Sequence, residues 1–496
     1  MRTETSAPKK ATALRTVAVA ALLAFASRGR GQAPAPLDGA ALMKESKFQE
    51  ALPLLESEAA ADPGRVKTAV ALVTCLIRLG RWNDALAASD RAEDRFPTDA
   101  EVGILRADCL FLTFQPARAV EAYRPYLSDP RWGSVAVAKA ASAAMARGDR
   151  KLALALFDRV RELGVPLADP ALEVEYGVEE DLTRKLDIAK HLAAHSPGNA
   201  ELQGLVALDQ ALASKPPQRN LPPGGYPSRT KIREILREPS LPVKLLDKRR
   251  TAWLAFDTGS ESLLLNEDVV KDLGLPELAK TAYGGWGDKG LQETRSVYIG
   301  RLEVAGRVLT SLPAIVNTRD TEIWTRKGGY IGLWPFLDDA VLYDRRGGVF
   351  ALYPSGTPPS EIMGDGSVAL SALWHRGLCL IPVAINGGEP HPFLLDTGAP
   401  YTILDRELVA RLGVRVNSGK YGNVHGLGFS GAFSSSMAEG VVIDLALHPF
   451  PRRVILVTDI PQHFPVPVYG IVGRDLLNEF RMVFDGPGAT VTFKAY

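Results

Sequence analysis

Cysteine is scarce, three in 496 residues, so no disulfide framework holds this fold together. Cys75, Cys109 and Cys379 read as buried, unpaired thiols. An excess of either charge is missing too. There are 58 Lys and Arg against 57 Asp and Glu, a net +1, with no dense basic run in the folded part. That removes the electrostatic case for nucleic acid as a partner. Long hydrophobic runs are also absent. The apolar stretch Thr16 to Ala26 is too short to span a bilayer comfortably. It follows Lys9, Lys10 and Arg15 and ends in Ala24-Phe25-Ala26, the pattern of an export signal. No Cys follows it to carry a lipid anchor. The expectation is therefore a targeting segment over 1–35, a secreted or periplasmic location, and no stable membrane span once the signal is removed. No cluster of His and Cys at metal-ligand spacing stands out. The seven His read as scattered, with His391, His425 and His463 as ordinary surface or loop residues. No metal and no cofactor are called for.

What is present is an ordinary folded composition, 46% apolar and 23% charged, in a chain long enough for more than one domain. Residues 36–212 are rich in Ala and Leu and carry a period of 34. Ala51, Ala85, Ala119 and Ala153 follow it, as do Phe48 and Trp82, Gly80 and Gly148, Pro63 and Pro97, and Cys75 and Cys109. Small residues at fixed places let two helices approach, an aromatic fills the groove, and Pro closes the second helix. The third unit departs, with Phe114 at the Gly position and Pro116 at the aromatic one. This array resembles the tetratricopeptide repeat, which implies a concave surface for a protein or peptide partner. Beyond Pro166 the register fades, and 170–212 reads as a degenerate cap.

Residues 213–229 contain Pro216-Pro217 and Pro222-Pro223-Gly224-Gly225, a density that breaks helix and sheet, and read as a linker. After it come short alternating runs rich in Val, Ile, Gly and Tyr, the pattern of strands. This region divides into lobe one (230–354), a turn-rich interlobe loop (355–366) and lobe two (367–496).

The two lobes are copies. Asp257-Thr258-Gly259-Ser260 in the first answers Asp396-Thr397-Gly398-Ala399 in the second, each at the end of an apolar run. Pro242 precedes Asp257 by 15 residues and Pro382 precedes Asp396 by 14. Gly274 and Gly413 each lie 17 residues beyond their Asp. Gly332 lies 75 after Asp257, and Gly473 lies 77 after Asp396. Tyr343-Asp344 and Phe484-Asp485 each end 12 residues further on. In each copy the Gly lets another chain come close, and the Thr hydroxyl can bond backbone across a two-fold interface. Asn266 and Asp405 stand where a short helix needs its N-cap, and Gly274 and Gly413 where it needs its C-terminal turn.

Two carboxylates meeting at such an axis, about 3 Å apart at an effective dielectric of about 20, repel by about 5 kcal/mol. That is a shift of several pKa units, so the pair holds one proton between them. The ionised member can take a proton from water while the other donates to a carbonyl oxygen. This chemistry hydrolyses a peptide bond without a cofactor.

Residues 230–496 resemble a retropepsin-like aspartic protease with two lobes fused in one chain. The expected architecture is thus multidomain: an N-terminal all-α helical repeat array and a C-terminal all-β two-lobed acid-protease fold. The resemblance implies catalytic Asp257 and Asp396, supported by Thr258, Gly259, Ser260, Thr397, Gly398 and Ala399. It also implies a strand ending in Gly332 or Gly473 that crosses behind each catalytic loop, with Arg474 and Asp475 opening a helix in lobe two. Two departures stand out. Leu333 occupies the place of Arg474 in lobe one. Pro400 occupies the place of the acidic residue that would pair with Arg474, while Glu261 stands at that place in lobe one. Gly-rich flaps over the substrate are expected at Tyr283, Gly284, Gly285 and Trp286, and at Gly426 and Gly428. The segment Gly426 to Gly431 also fits a dinucleotide-binding spacing, but no amphipathic helix pattern follows it. The implied activity is that of an aspartic endopeptidase acting on a peptide or protein substrate. The alternative is a peptide-binding or scaffold protein in which the protease-like module is not catalytic.

Overall fold

The computed structural model describes residues 38–284, 292–317, 328–417, 424–428, 431–460 and 464–496. The N-terminal region is helical. Four helix pairs come first: α1 (Gly39–Lys44) with α2 (Phe48–Ala61), α3 (Val66–Arg78) with α4 (Trp82–Arg95), α5 (Ala100–Leu112) with α6 (Pro116–Tyr123), and α7 (Gly133–Ala146) with α8 (Arg150–Glu162). Three further helices follow, α9 (Asp169–Val178), α10 (Leu182–His195) and α11 (Ala200–Ala213). The period has a backbone cause. Ser46, Gly80, Phe114 and Gly148, spaced by 34, all adopt a left-handed conformation, with φ of 58°, 70°, 60° and 74°. Each reverses the chain between the helices of a pair. Phe114 therefore breaks the residue pattern but keeps the turn. Ala51, Ala85, Ala119 and Ala153 are fully buried, where a larger side chain would part the helices.

The C-terminal region is β-rich. Among the described residues, a nine-stranded sheet builds lobe one and another nine-stranded sheet builds lobe two. A six-stranded sheet joins them, drawing three strands from each side. At its centre Asp339–Asp344 pairs antiparallel with Phe480–Asp485, in the register Val341 to Phe484 and Leu342 to Val483. The strands that end in the duplicated landmarks thus pair with each other about the pseudo-two-fold axis.

The Pro- and Gly-rich segment does not break the sheets as its composition predicts. Arg219–Leu221 pairs with strand Arg307–Asn317, and Ser228–Lys231 pairs with Val349–Pro354. Buried Arg307 explains the anchoring. It donates to Asp339 (3.0 Å) and to Asn220 (2.8 Å), and the Tyr226 hydroxyl donates to Asp339 (2.7 Å). A buried guanidinium is tolerable only with such partners; Asn220 comes from this segment, and so does Tyr226, which bonds the same Asp339. In the interlobe loop, Pro359–Met363 forms a short helix.

The helical region packs directly on both lobes, and one apolar core runs through all three. Trp82 of α4 meets the rings of His391 and Tyr469 in lobe two, at centroid distances of 5.7 and 5.8 Å. Helix α7 touches strand Leu373–His375 of lobe two. Helix α11 lies on strand Glu277–Tyr283 of lobe one. There a Cβ on Gly204 would stand 3.2 Å from the Thr281 Cα. His391 is therefore no surface residue. It is 4% exposed, and its burial, with Arg411 beside it, pushes its pKa down to about 4. His425 falls on strand Val424–Gly428, and His463 lies outside the described residues. All three cysteines are buried and free. Among the described residues no helix is long and apolar enough to cross a membrane.

Candidate active site

Each Asp-Thr-Gly turn is the end of an interior strand. Arg250–Phe256 delivers Asp257, and Pro390–Leu395 delivers Asp396. A three-residue strand runs parallel beside each. Gly329–Ile331 pairs with Ala255 and Phe256, and Gly470–Val472 pairs with Phe393 to Leu395. The Asp257 amide donates to the Ile331 carbonyl, and the Asp396 amide to the Val472 carbonyl, both at 3.0 Å. Gly332 and Gly473 pass behind the loops with no room for a side chain. A Cβ on Gly332 would lie 2.0 Å from the Ser260 carbonyl oxygen, and one on Gly473 would lie 2.4 Å from the Tyr401 carbonyl carbon.

The two loops lock together through their threonines, both fully buried. The Thr258 hydroxyl donates to the Leu395 carbonyl (2.7 Å) and accepts from the Thr397 amide (2.9 Å). The Thr397 hydroxyl donates to the Phe256 carbonyl (2.7 Å) and accepts from the Thr258 amide (3.0 Å). Gly259 and Gly398 bring the carboxylates into contact with the opposite loop. A Cβ on Gly259 would stand 2.6 Å from Asp396 Cγ, and one on Gly398 would stand 2.5 Å from Asp257 Oδ1.

Asp257 and Asp396 stand side by side, within hydrogen-bonding reach of one another. Burial raises the pKa of both. Asp257 rises well above the usual carboxylate range, because the neighbouring carboxylate adds to its burial. The surroundings are unequal. Asp396 accepts from the Gly398 amide (2.7 Å) and the Ala399 amide (3.0 Å), and Arg474 lies near. Asp257 accepts from the Gly259 amide (2.9 Å) and faces Glu238. Donors and a cation favour charge on Asp396, while a second carboxylate disfavours it on Asp257. The pair still titrates as one unit.

Arg474 has partners that its own loop does not supply. It donates to the Thr397 carbonyl (3.1 Å) and stands 4.0 Å from Glu238 of lobe one. Asp475 instead accepts from the Thr402 amide and hydroxyl, both at 2.7 Å. Glu261 reaches Arg376 of lobe two at 3.7 Å. Both ion pairs thus cross between lobes, and nothing in the spacing of Glu238 or Arg376 announced this. Leu333 fills the place of the missing Arg with a fully buried apolar side chain. Tyr330, on the strand beside the Asp257 loop, is a residue the sequence analysis did not single out. Its hydroxyl shares the surroundings of Asp257, Glu238 and Arg474.

Of the flap residues, Tyr283 and Gly284 are described, while Gly285 and Trp286 lie outside the described residues. Tyr283 ends the strand under α11, and its hydroxyl is hydrogen-bonded to Ser260 and Ser262 beside the Asp257 loop. Its ring packs against Ala255, Leu264 and Tyr330. Gly426 and Gly428 lie on Val424–Gly428, which folds back on Gly431–Leu445 as an antiparallel hairpin. That excludes the strand-then-helix context of a dinucleotide site. The helical region holds one grouping that the sequence did not single out. His191 and His195 lie one turn apart on α10 and meet Asp169, a grouping of possible metal ligands hidden in the apparent scatter.

Comparison with known families agrees with this geometry. Residues 42–109 match the tetratricopeptide repeat family. Residues 241–333 and 381–476 match the aspartyl protease family, one segment for each lobe. No curated protein matches the chain. The chain therefore carries tetratricopeptide repeats followed by a retropepsin-like aspartyl protease domain in two copies.

Proposed function

We propose that the chain is an aspartic endopeptidase whose two lobes contribute Asp257 and Asp396 to one catalytic centre. The observation that carries this reading is the close approach of the two buried carboxylates, each against the opposite loop, held by the crossed threonine bonds. Asp396, favoured as the anion, takes a proton from the attacking water. Asp257, favoured as the acid, donates to the carbonyl oxygen as the tetrahedral gem-diol forms. Return of a proton to the leaving nitrogen then breaks the C–N bond. The required species holds one proton on the pair, so activity falls when the pair is fully protonated or fully ionised. The strand ending at Tyr283 and the hairpin containing Gly426 and Gly428 serve as covers for an extended peptide. The repeats serve as a docking surface for the substrate or a partner protein. Residues 9–26 carry the case for export.

The test is incubation of the full chain with a reduced, unfolded protein across roughly pH 3 to 7, the range in which a coupled carboxylate pair titrates. Mass spectrometry should find new internal amino termini, with a bell-shaped dependence on pH. Absence of internal cleavage throughout that range removes the endopeptidase reading. Export is checked separately by the amino-terminal mass of the protein recovered from producing cells.

A further inference from the structure

The helical region holds a group of side chains that the proteolytic chemistry does not use. His191 and His195 share one face of α10, one turn apart, and turn toward Asp169 at the start of α9. His195 Nδ1 lies 3.0 and 3.1 Å from the two carboxylate oxygens, and His191 Nε2 lies 3.5 Å from one of them. The imidazole centroids are 4.3 Å apart. One donor atom from each residue falls within 4.8 Å of the others. A four-coordinate ion with bonds of about 2.0–2.2 Å sets its ligand atoms about 3.3 Å apart. Rotation of two exposed imidazoles covers the difference.

The donor set has a chemical preference. Two imidazoles and one carboxylate suit zinc and its neighbours, whereas calcium and magnesium take oxygen ligands. The side chains of Asp169, His191 and His195 are 40%, 47% and 54% exposed, so an ion can enter from solvent and keep water as a further ligand. His191 also lines an open groove of about 510 Å³ with Arg161, Leu172, Arg184, Asp187 and Ile188. The two guanidinium groups there do not repel a cation unopposed. Both are paired with the fully buried carboxylate of Glu175.

We propose that Asp169, His191 and His195 bind a divalent transition-metal ion of the zinc class, which clamps the start of α9 to the last turn of α10. A metal-free role is the competing account. Asp169 at a helix start and His195 at a helix end complement the helix dipoles and can hydrogen-bond without an ion. Titration of the full chain, first stripped with a chelator, separates the two. Zn²⁺ binding is followed by calorimetry and Co²⁺ binding by its visible absorption. The proposal expects one saturable equivalent in the wild type and in Asp257→Asn/Asp396→Asn, with a Zn²⁺-dependent rise in melting temperature. That equivalent disappears in His191→Ala/His195→Ala and in the gentler His191→Gln/His195→Gln, both checked for native circular dichroism. No saturable binding by the wild type overturns the proposal. So does binding that persists unchanged in the glutamine variant.

Discussion

Thr258 and Thr397 carry the joint between the lobes, and their hydroxyls have no substitute. Replacing Thr258 by Val leaves the buried Leu395 carbonyl and Thr397 amide without their partners. Each such loss costs about 1–3 kcal/mol. Urea denaturation should show a loss on the order of 3 kcal/mol for Thr258→Val and a smaller loss for Thr258→Ser, which keeps the hydroxyl. The carboxylates behave in the opposite sense. Their folded-state pKa is raised, by burial for both and by the neighbouring carboxylate as well for Asp257. The stability they contribute is full below the ordinary carboxylate pKa of about 4 and is lost as pH rises through the raised value. Asp257→Asn should therefore melt above the wild type at neutral pH, with the advantage shrinking toward pH 4 in thermal scans. A wild type that melts higher at neutral pH would contradict this. At this scale the sequence was informative where chemistry repeats. Two Asp-Thr-Gly turns located the carboxylates and their threonines. The partners Glu238 and Arg376 were hidden, because each belongs to the lobe opposite its mate.

Among the elements, α11 and strand Glu277–Tyr283 make the contact with the most direct bearing on the site. The strand leads to Tyr283, which is hydrogen-bonded beside the Asp257 loop, and α11 sits on it just before Tyr283, with Gly204 against the Thr281 backbone. A leucine at 204 must displace that strand or the helix, and overpacking of this kind costs about 1–3 kcal/mol. Gly204→Leu should lower the urea midpoint and raise KM for peptide cleavage, because the displaced strand is one wall of the proposed substrate cover. A normal midpoint with an unchanged KM would show that α11 does not position it. The period of 34 was legible because each helix pair needs one left-handed residue, and Phe114 shows that conformation outlasts composition. For the segment 213–229, Pro and Gly density describes only a local preference. Tertiary partners, chiefly Arg307 with Asn220 and Asp339 with Tyr226, override it.

For the whole molecule, the helical array and the two lobes share one core, and His391 lies at their junction between Trp82, Tyr469 and Arg411. Its pKa falls from 6.5 to about 4 on folding. The unfolded chain therefore takes up the proton first, and stability declines as pH drops from 6.5 toward 4. The full decline is about 3 kcal/mol for a shift of that size. His391→Phe should flatten this part of the pH–stability curve, measured by urea titration at several pH values. An unchanged curve would remove His391 as its source. No single-residue reading of the sequence reveals this junction, since Trp82 and His391 are 309 positions apart. The central claim remains that one carboxylate from each copy makes a single catalytic centre. Cleavage of an unfolded protein should be compared for the wild type, Asp257→Asn and Asp396→Asn, each confirmed as folded. The account predicts that both variants lose cleavage. Wild-type cleavage by either variant would contradict it.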